Sequence, residues 1–372
     1  MEIGIDCRLW NETGVGRYTR NLVSELSKID TKNSYVLFAL DKDVSSIKYQ
    51  VLSIKHGNWK IVVADIRWHT LKEQFEFPKI LNRENLDLVH FPYFSVPIFY
   101  NRPFVVTIHD LIINHFPTGQ ASTLLFPIYK LKLLGYKFII KQAAKKARKI
   151  ITVSQATKKE IVDHLGVDSD KVIVTYEGID QKLAISSQKS VVKGKYFLYV
   201  GNAYPHKNLE RLLEAFKTLN SNVNLVLVGK EDYFHKRLKE KVRKMKLADK
   251  VVFLQNVSDE ELASLYKNAI ALIVPSLMEG FGLPAMEAMA NKCLVLASDI
   301  PSLKEICGDV ALYFNPLSID ELTEKLRTVT LHTTEYEGLE ELRRKGVERA
   351  RLFSWQKMAK KTLGVYEGCI SL

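Results

Sequence analysis

The chain has little cysteine, and none of it is paired in spacing. Among 372 residues there are four, Cys7, Cys293, Cys307 and Cys369, with no C-x-x-C. That argues against a disulfide framework or zinc ribbon and predicts free thiols in a reducing cytoplasm. No run of about eighteen apolar residues occurs, so no membrane-spanning helix is predicted. The opening MEIGIDCRLW carries acids early and alternates like a strand, unlike a signal peptide. RNP, KH and zinc-finger patterns are missing, which sets nucleic acid aside. Neither a Ser-His-Asp order nor a Cys-His pair announces a covalent nucleophile. Carboxylates are missing from the whole span 111–159, although Lys130–Lys149 holds seven lysines and one arginine.

What is present is an ordinary globular composition, 47% hydrophobic and 26% charged, with a formal net charge of +12. The length suggests two domains. Such a positive balance suits an anionic membrane face or phosphorylated substrates. Apolar strand-like runs alternate with helix-period segments along the chain. They recur at 2–8, Tyr35–Leu40, Lys60–Ala64, Leu86–Phe91, Phe104–Ile108 and Lys149–Ser154. A second series runs through Tyr196–Val200, Asn224–Val228, Lys250–Gln255, Ala271–Val274, Leu294–Ala297 and Leu312–Asn315. Alternation of this kind predicts α/β architecture with parallel sheets and ligands at the strand C-termini. The polar, aperiodic Lys182–Lys195 reads as a linker.

The chemistry concentrates in Pro275–Asn291, PSLMEGFGLPAMEAMAN. Gly280 and Gly282 fall between an apolar strand and a helix that Pro284 starts. Uncovered amides and the positive helix end make that turn an anion site suited to a diphosphate. Glu287 stands one turn into the helix, where a carboxylate accepts hydrogen bonds from sugar hydroxyls. Glu279 stands on the opposite lip. A second turn, Pro205–Asn208, precedes another helix. Lys207 there would complement a diphosphate as a point charge, and Asn208 reads as an N-cap.

The E-x7-E pattern enclosing GFGLP resembles the signature of the retaining glycosyltransferases of family four, which have the GT-B fold. The phrases TGVGRY, TIHDL, TVSQATKKEI and YVGN…HKN, in this order, extend the resemblance over nearly the whole chain, most closely to the bacterial branch that includes mannosyltransferases. The resemblance implies two Rossmann-like, doubly wound domains facing across a cleft. Residues 1–182 would bind the acceptor, 183–195 link, 196–351 bind the nucleotide-sugar, and 352–372 return as a helix to the first domain. It implies that Glu287 holds the donor ribose, that Glu279 contacts the transferred sugar, and that the amides of Gly280, Phe281, Gly282 and Leu283 hold the diphosphate. It also implies that His206, Lys207 and Asn208 grip the donor phosphates, with His206 standing where the family often has arginine, so that its charge would depend on pH. Gly14 and Gly16, in a loop before a helix-like run at Tyr18–Ile29, would approach the donor phosphates, and Arg17 the acceptor. His109 would sit near the transferred sugar, with Asp110 orienting it or binding acceptor. Tyr93 and His90 would line the acceptor pocket.

Two D-x-D triplets, Asp41–Asp43 and Asp168–Asp170, read as turn chemistry rather than a metal site. No metal and no cofactor are expected, only a nucleotide-diphosphate sugar as donor. Placed on a helix, Ile128, Leu131, Phe138, Ala143 and Ala147 approximate one stripe beside Lys130, Lys137, Lys141, Lys145 and Arg148. That pattern fits an anionic membrane surface as a partner. The expected function is transfer of a hexose to a glycan or lipid-linked acceptor in cell-surface polysaccharide synthesis, at the inner face of the membrane. The alternative is a non-catalytic sugar-nucleotide-binding or membrane-scaffold protein using the same residues.

Overall fold

The computed structural model describes residues 1–52, 58–117, 126–179, 192–219, 221–331 and 337–370. The chain divides into two compact units. The first comprises Met1–Asn114, Leu124–Gly178 and Trp355–Leu372, and the second His115–Thr123 and Ile179–Ser354. Most of the expected linker, 183–191, lies outside the described residues.

The first unit runs β1 (Glu2–Asp6), α1 (Thr13–Ile29), β2 (Ser34–Ala39), α2 (Val44–Leu52), β3 (Asn58–Val63), α3 (Leu71–Asn82), β4 (Leu88–Phe91) and β5 (Phe104–Ile108). It continues through α4 (Ile112–His115), α5 (Phe126–Lys146), β6 (Lys149–Thr152), α6 (Gln155–Leu165) and β7 (Val172–Val174). Its sheet is parallel throughout, in the order β3-β2-β1-β4-β5-β6-β7. The central strands are apolar on both faces because helices cover both, as LVHF in β4 and FVVTI in β5 show. Ser154 caps α6 by accepting from the Thr157 amide at 3.1 Å, and Gly166 ends that helix.

The second unit runs β8 (Tyr196–Val200), α7 (Leu209–Thr218), β9 (Asn224–Val228), α8 (Tyr233–Lys244), β10 (Val251–Leu254), α9 (Asp259–Asn268) and β11 (Ala271–Val274). Then come α10 (Leu283–Ala290), β12 (Leu294–Ser298), α11 (Pro301–Cys307), β13 (Leu312–Phe314), α12 (Ile319–Leu331) and α13 (Glu337–Ala350). This sheet is also parallel, in the order β10-β9-β8-β11-β12-β13. Helix α7 buries Leu209, Leu212, Leu213 and Phe216 against it, worth about 2 kcal/mol for each such side chain. The last helix, α14 (Trp355–Ile370), belongs to the first unit and packs on α1.

Three expectations are corrected here. Helix α1 begins at Thr13, so Gly14 and Gly16 occupy its first turn and not a loop before it. His90 lines no pocket: it is wholly buried, with Nδ1 2.6 Å from the Tyr366 hydroxyl and Nε2 2.8 Å from Thr107 Oγ1, and it ties α14 to the sheet. The predicted stripe on α5 splits, because Ala143 and Ala147 are in the core whereas Ile128, Leu131 and Phe138 are exposed. The described part of the chain contains no helix long and apolar enough to cross a membrane.

Candidate active site

In each sheet the strand order reverses beside the first strand, and ligands of doubly wound sheets gather at such points. In the second unit the reversal lies between β8 and β11, which pair directly. The loops leaving their C-terminal ends carry Pro205–Lys207 and Pro275–Leu283, so topology alone brings the two predicted turns together. The Leu277 amide donates to the His206 carbonyl at 2.7 Å, joining them.

Here Lys207 meets Glu279. The ammonium donates to both carboxylate oxygens, at 2.7 and 2.8 Å, and the Ser276 hydroxyl donates to Oε1 at 2.7 Å. The Lys207 side chain is 17% exposed and that of Glu279 12%. Burial alone would raise the Glu279 carboxyl, but Lys207 and Ser276 outweigh it and hold the group below the usual carboxylate range. An ammonium carries three donors. Two face Glu279, which leaves one for a further anion.

Gly282 is the N-cap of α10 and has φ +103°, a left-handed backbone that suits glycine. A Cβ there would come within 2.8 Å of Leu303 Cδ2. Pro284 brings no amide hydrogen, and Ala285 and Met286 donate to the Gly282 carbonyl. The amides of Gly282 and Leu283 therefore precede the helical ladder. Phe281 is buried against Phe353, and Gly280 is buried beside it. Glu287 is only 2% exposed, and the Tyr266 hydroxyl donates to its Oε2 at 2.8 Å, fixing the carboxylate plane.

Two residues of the Pro205–Asn208 turn depart from expectation. Asn208 stands at the N-cap position of α7 but does not cap it. Its φ is +59°, and its amide group donates to the carbonyls of Pro275 and Pro316 at 3.0 and 2.8 Å, pinning the turn. His206 is buried beside Tyr204 and Phe116. Burial, and then the adjacent Lys207, push its ring down to about 4 against a smaller opposing pull from Glu279. It is neutral at physiological pH, so it is not the pH-dependent cation that its place in the motif suggested.

In the first unit, His109 follows β5. Its Nε2–H donates to the Pro92 carbonyl at 3.0 Å, and its Nδ1 lies 3.4 Å from Glu177 Oε1. The Tyr18 ring packs edge-on at 4.8 Å. Asp110 accepts from the Ile112 amide at 2.9 Å and caps the next turn. Glu177, which stands at the His109 ring, was missed by sequence reading. Ser276 and Tyr266 were missed too, and only the PS preceding the glycine turn hinted at the first. Tyr93 is half-buried against Phe94 and His69. Arg17 is half-exposed on α1. Gly16 is there for packing, since a Cβ would meet the Trp10 carbonyl oxygen at 2.4 Å, whereas Gly14 faces open space. Asp41–Asp43 forms a single 3-10 turn after β2, in which Asp43 is buried and accepts from Asn11 Nδ2 at 2.6 Å.

Comparison with known proteins identifies the family. A family model described as Glycosyltransferase Family 4 matches residues 13–183, and one described as Glycosyl transferases group 1 matches residues 180–352. The O-antigen chain mannosyltransferase RfbU of Salmonella typhimurium is 29% identical over 82% of this chain and 83% of its own. An uncharacterized glycosyltransferase of Methanocaldococcus jannaschii is 30% identical over 77% of each chain. The crystal structure of Anabaena HepE, in complex with UDP-glucose, superposes with a TM-score of 0.76 at 16% identity, covering 99% of this chain and 100% of that one. The chain therefore belongs to glycosyltransferase family four, with the two-domain α/β GT-B fold, and is a hexosyltransferase similar to bacterial mannosyltransferases.

Proposed function

We propose that the chain moves a hexose of the mannose or glucose type from a nucleoside-diphosphate sugar to a hydroxyl of a glycan or lipid-linked acceptor, retaining the anomeric configuration. The O-antigen activity named for the Salmonella relative supports mannose and a cell-surface polysaccharide. The observation that carries the donor reading is the Lys207–Glu279 pair beside the left-handed Gly282, at the sheet's reversal point. A diphosphate seated there would receive the third Lys207 donor and the turn amides of Gly280–Leu283. Glu279 would then face the transferred sugar and Glu287 the ribose hydroxyls. Asn208 and His206 would act through the turn they pin. Gly14 and Arg17 would serve the donor phosphates and the acceptor, with Tyr93 beside them. His109, held by Glu177, would serve the transferred sugar.

The principal contribution of the protein would be electrostatic stabilisation of the leaving diphosphate, which itself takes the acceptor proton on the sugar's front face. A lysine and backbone amides supply the compensating charge, so turnover is expected to persist in EDTA. An anionic membrane face reached through Lys130–Lys149 would bring a lipid-linked acceptor close.

The test is transfer from a panel of UDP-, GDP- and ADP-sugars, with product anomers read by NMR. Lys207→Ala should lower kcat by about a hundredfold or more while the protein stays folded. Near-normal transfer by that variant would contradict the assignment. Donor binding with neither transfer nor hydrolysis by the unaltered chain would favour the non-catalytic reading.

A further inference from the structure

Strand β5 divides its residues between two faces, since alternate side chains point opposite ways. Val106 and Ile108 face one way, into an apolar core shared with Val89 and Phe91 of β4. Thr107 and His109 fall on the other side with Val105, and His90 of β4, the register partner of Val105, joins them. That second face carries a line of polar contacts. His90 Nε2 lies 2.8 Å from Thr107 Oγ1, and His90 Nδ1 lies 2.6 Å from the Tyr366 hydroxyl of α14. Thr107 Oγ1 lies in turn 3.3 Å from the Tyr18 hydroxyl of α1. The Tyr18 ring meets His109 edge-on at 4.8 Å, and His90 at 6.5 Å. Tyr18, His90, Thr107 and Tyr366 are all wholly buried.

The line has a direction. Burial keeps the His90 ring neutral at physiological pH, so it offers one N–H and one lone pair. When one neighbour donates to the ring, the other nitrogen donates onward. Burial also pushes the Tyr18 hydroxyl up to about 12, against the lowering effect of Thr107, so Tyr18 keeps its proton. Hydrogen bonds aligned head to tail polarise one another, and losing one link weakens the rest. A sheet face that had only to bury two helices would be more stable without these groups, because each hydroxyl and imidazole gives up water on entering it. The opposite face of the same strands shows that apolar solution. What the polar line adds is a fixed aromatic edge against His109.

We propose that Tyr18 is a positioning residue for sugar transfer: anchored through Thr107 and His90 to Tyr366, its ring holds the His109 imidazole where it meets the transferred sugar. The inference rests on His109 serving that sugar, and it gives α14 a part in turnover beyond packing.

Turnover is followed as nucleoside diphosphate released from whichever sugar nucleotide the unaltered chain consumes. Tyr18→Leu removes the ring contact and should lower kcat by about tenfold or more, with the donor KM within about twofold. Tyr18→Phe keeps the ring but loses its anchor, and should recover most of that loss. Tyr366→Phe cuts the far end without reaching His109, and should lower kcat by about threefold. Leu22→Ala, a buried change on the same helix, should lower the melting temperature and leave kcat of the folded protein unchanged. In histidine-labelled protein, the His109 ring resonance should shift in Tyr18→Leu, which takes away an aromatic ring 4.8 Å distant. Because Tyr18 acts through His109, the double variant His109→Ala/Tyr18→Leu should be no slower than His109→Ala. Normal turnover by Tyr18→Leu, an unmoved His109 resonance, additive losses in the double variant, or an equal fall in kcat for Leu22→Ala would overturn the proposal and leave the role of His109 standing. Full turnover by His109→Ala would overturn both.

Discussion

At the scale of single residues, the ion pair between Lys207 and Glu279 sets the chemistry, and Ser276 sets the ion pair. Removing the Ser276 hydroxyl takes one donor from a carboxylate that is nearly enclosed. Ser276→Ala should lower kcat/KM by about tenfold, and Ser276→Thr should restore most of it. The hydroxyl helps hold the carboxyl low, so its loss raises the folded pKa of Glu279. The acid limb of the pH profile should therefore move to higher pH in the alanine variant, a shift that a merely structural role would not produce. Glu177→Gln should reduce turnover more than donor affinity, because it changes the contact at His109 and leaves the Lys207–Glu279 pair in place. Both members of the ion pair were legible in the sequence as residues, yet their pairing was not. Seventy-two positions separate them, and only the parallel pairing of β8 with β11 brings their loops together. Ser276, Tyr266 and Glu177 were illegible because each acts through a neighbour that no local pattern specifies.

At the scale of elements, most strands and helices followed from period and punctuation, and several strands match to the residue, among them β5, β8, β9 and β11. Helix α1 was misread because two glycines within four residues suggest a loop. The structure instead uses Gly16 to let the helix pass against the carbonyls of Leu9 and Trp10. Gly16→Ala should therefore destabilise the first unit by about 2 kcal/mol or more, through backbone contact that has no soft partner. Gly14→Ala, in open space on the same turn, should leave the melting temperature unchanged or raise it slightly. Equal tolerance of both substitutions would refute this reading of α1. On α5 the period was right but the face was not. A helix with apolar residues all round does not declare which side the sheet will take, and here the small alanines went inward while Leu131, Leu134 and Phe138 stayed outside. Gly282→Ala should distort the α10 turn, since it adds a Cβ at φ +103° and at 2.8 Å from Leu303.

At the scale of the molecule, two buried histidines tie stability to pH. Burial and then His109 take His90 to about 3, and His206 lies at about 4. Each is depressed from an unfolded value near 6.5, so its stabilising contribution is complete above that value and is lost as pH falls toward the folded one. By pH 5 each should have cost about 2 kcal/mol. Thermal unfolding should show a clear fall between pH 7 and pH 5 in both units, and a flat profile would contradict the neutral burial of these rings. The account rests on the second unit holding a donor diphosphate by one ammonium and a glycine turn. Calorimetric titration of nucleoside diphosphates into the protein in EDTA, with Lys207→Ala alongside, tests that most directly. Saturable binding by the unaltered chain and a loss of about a hundredfold in the variant are predicted. Equal affinity in the two proteins, or binding that appears only when a divalent cation is added, would contradict the account.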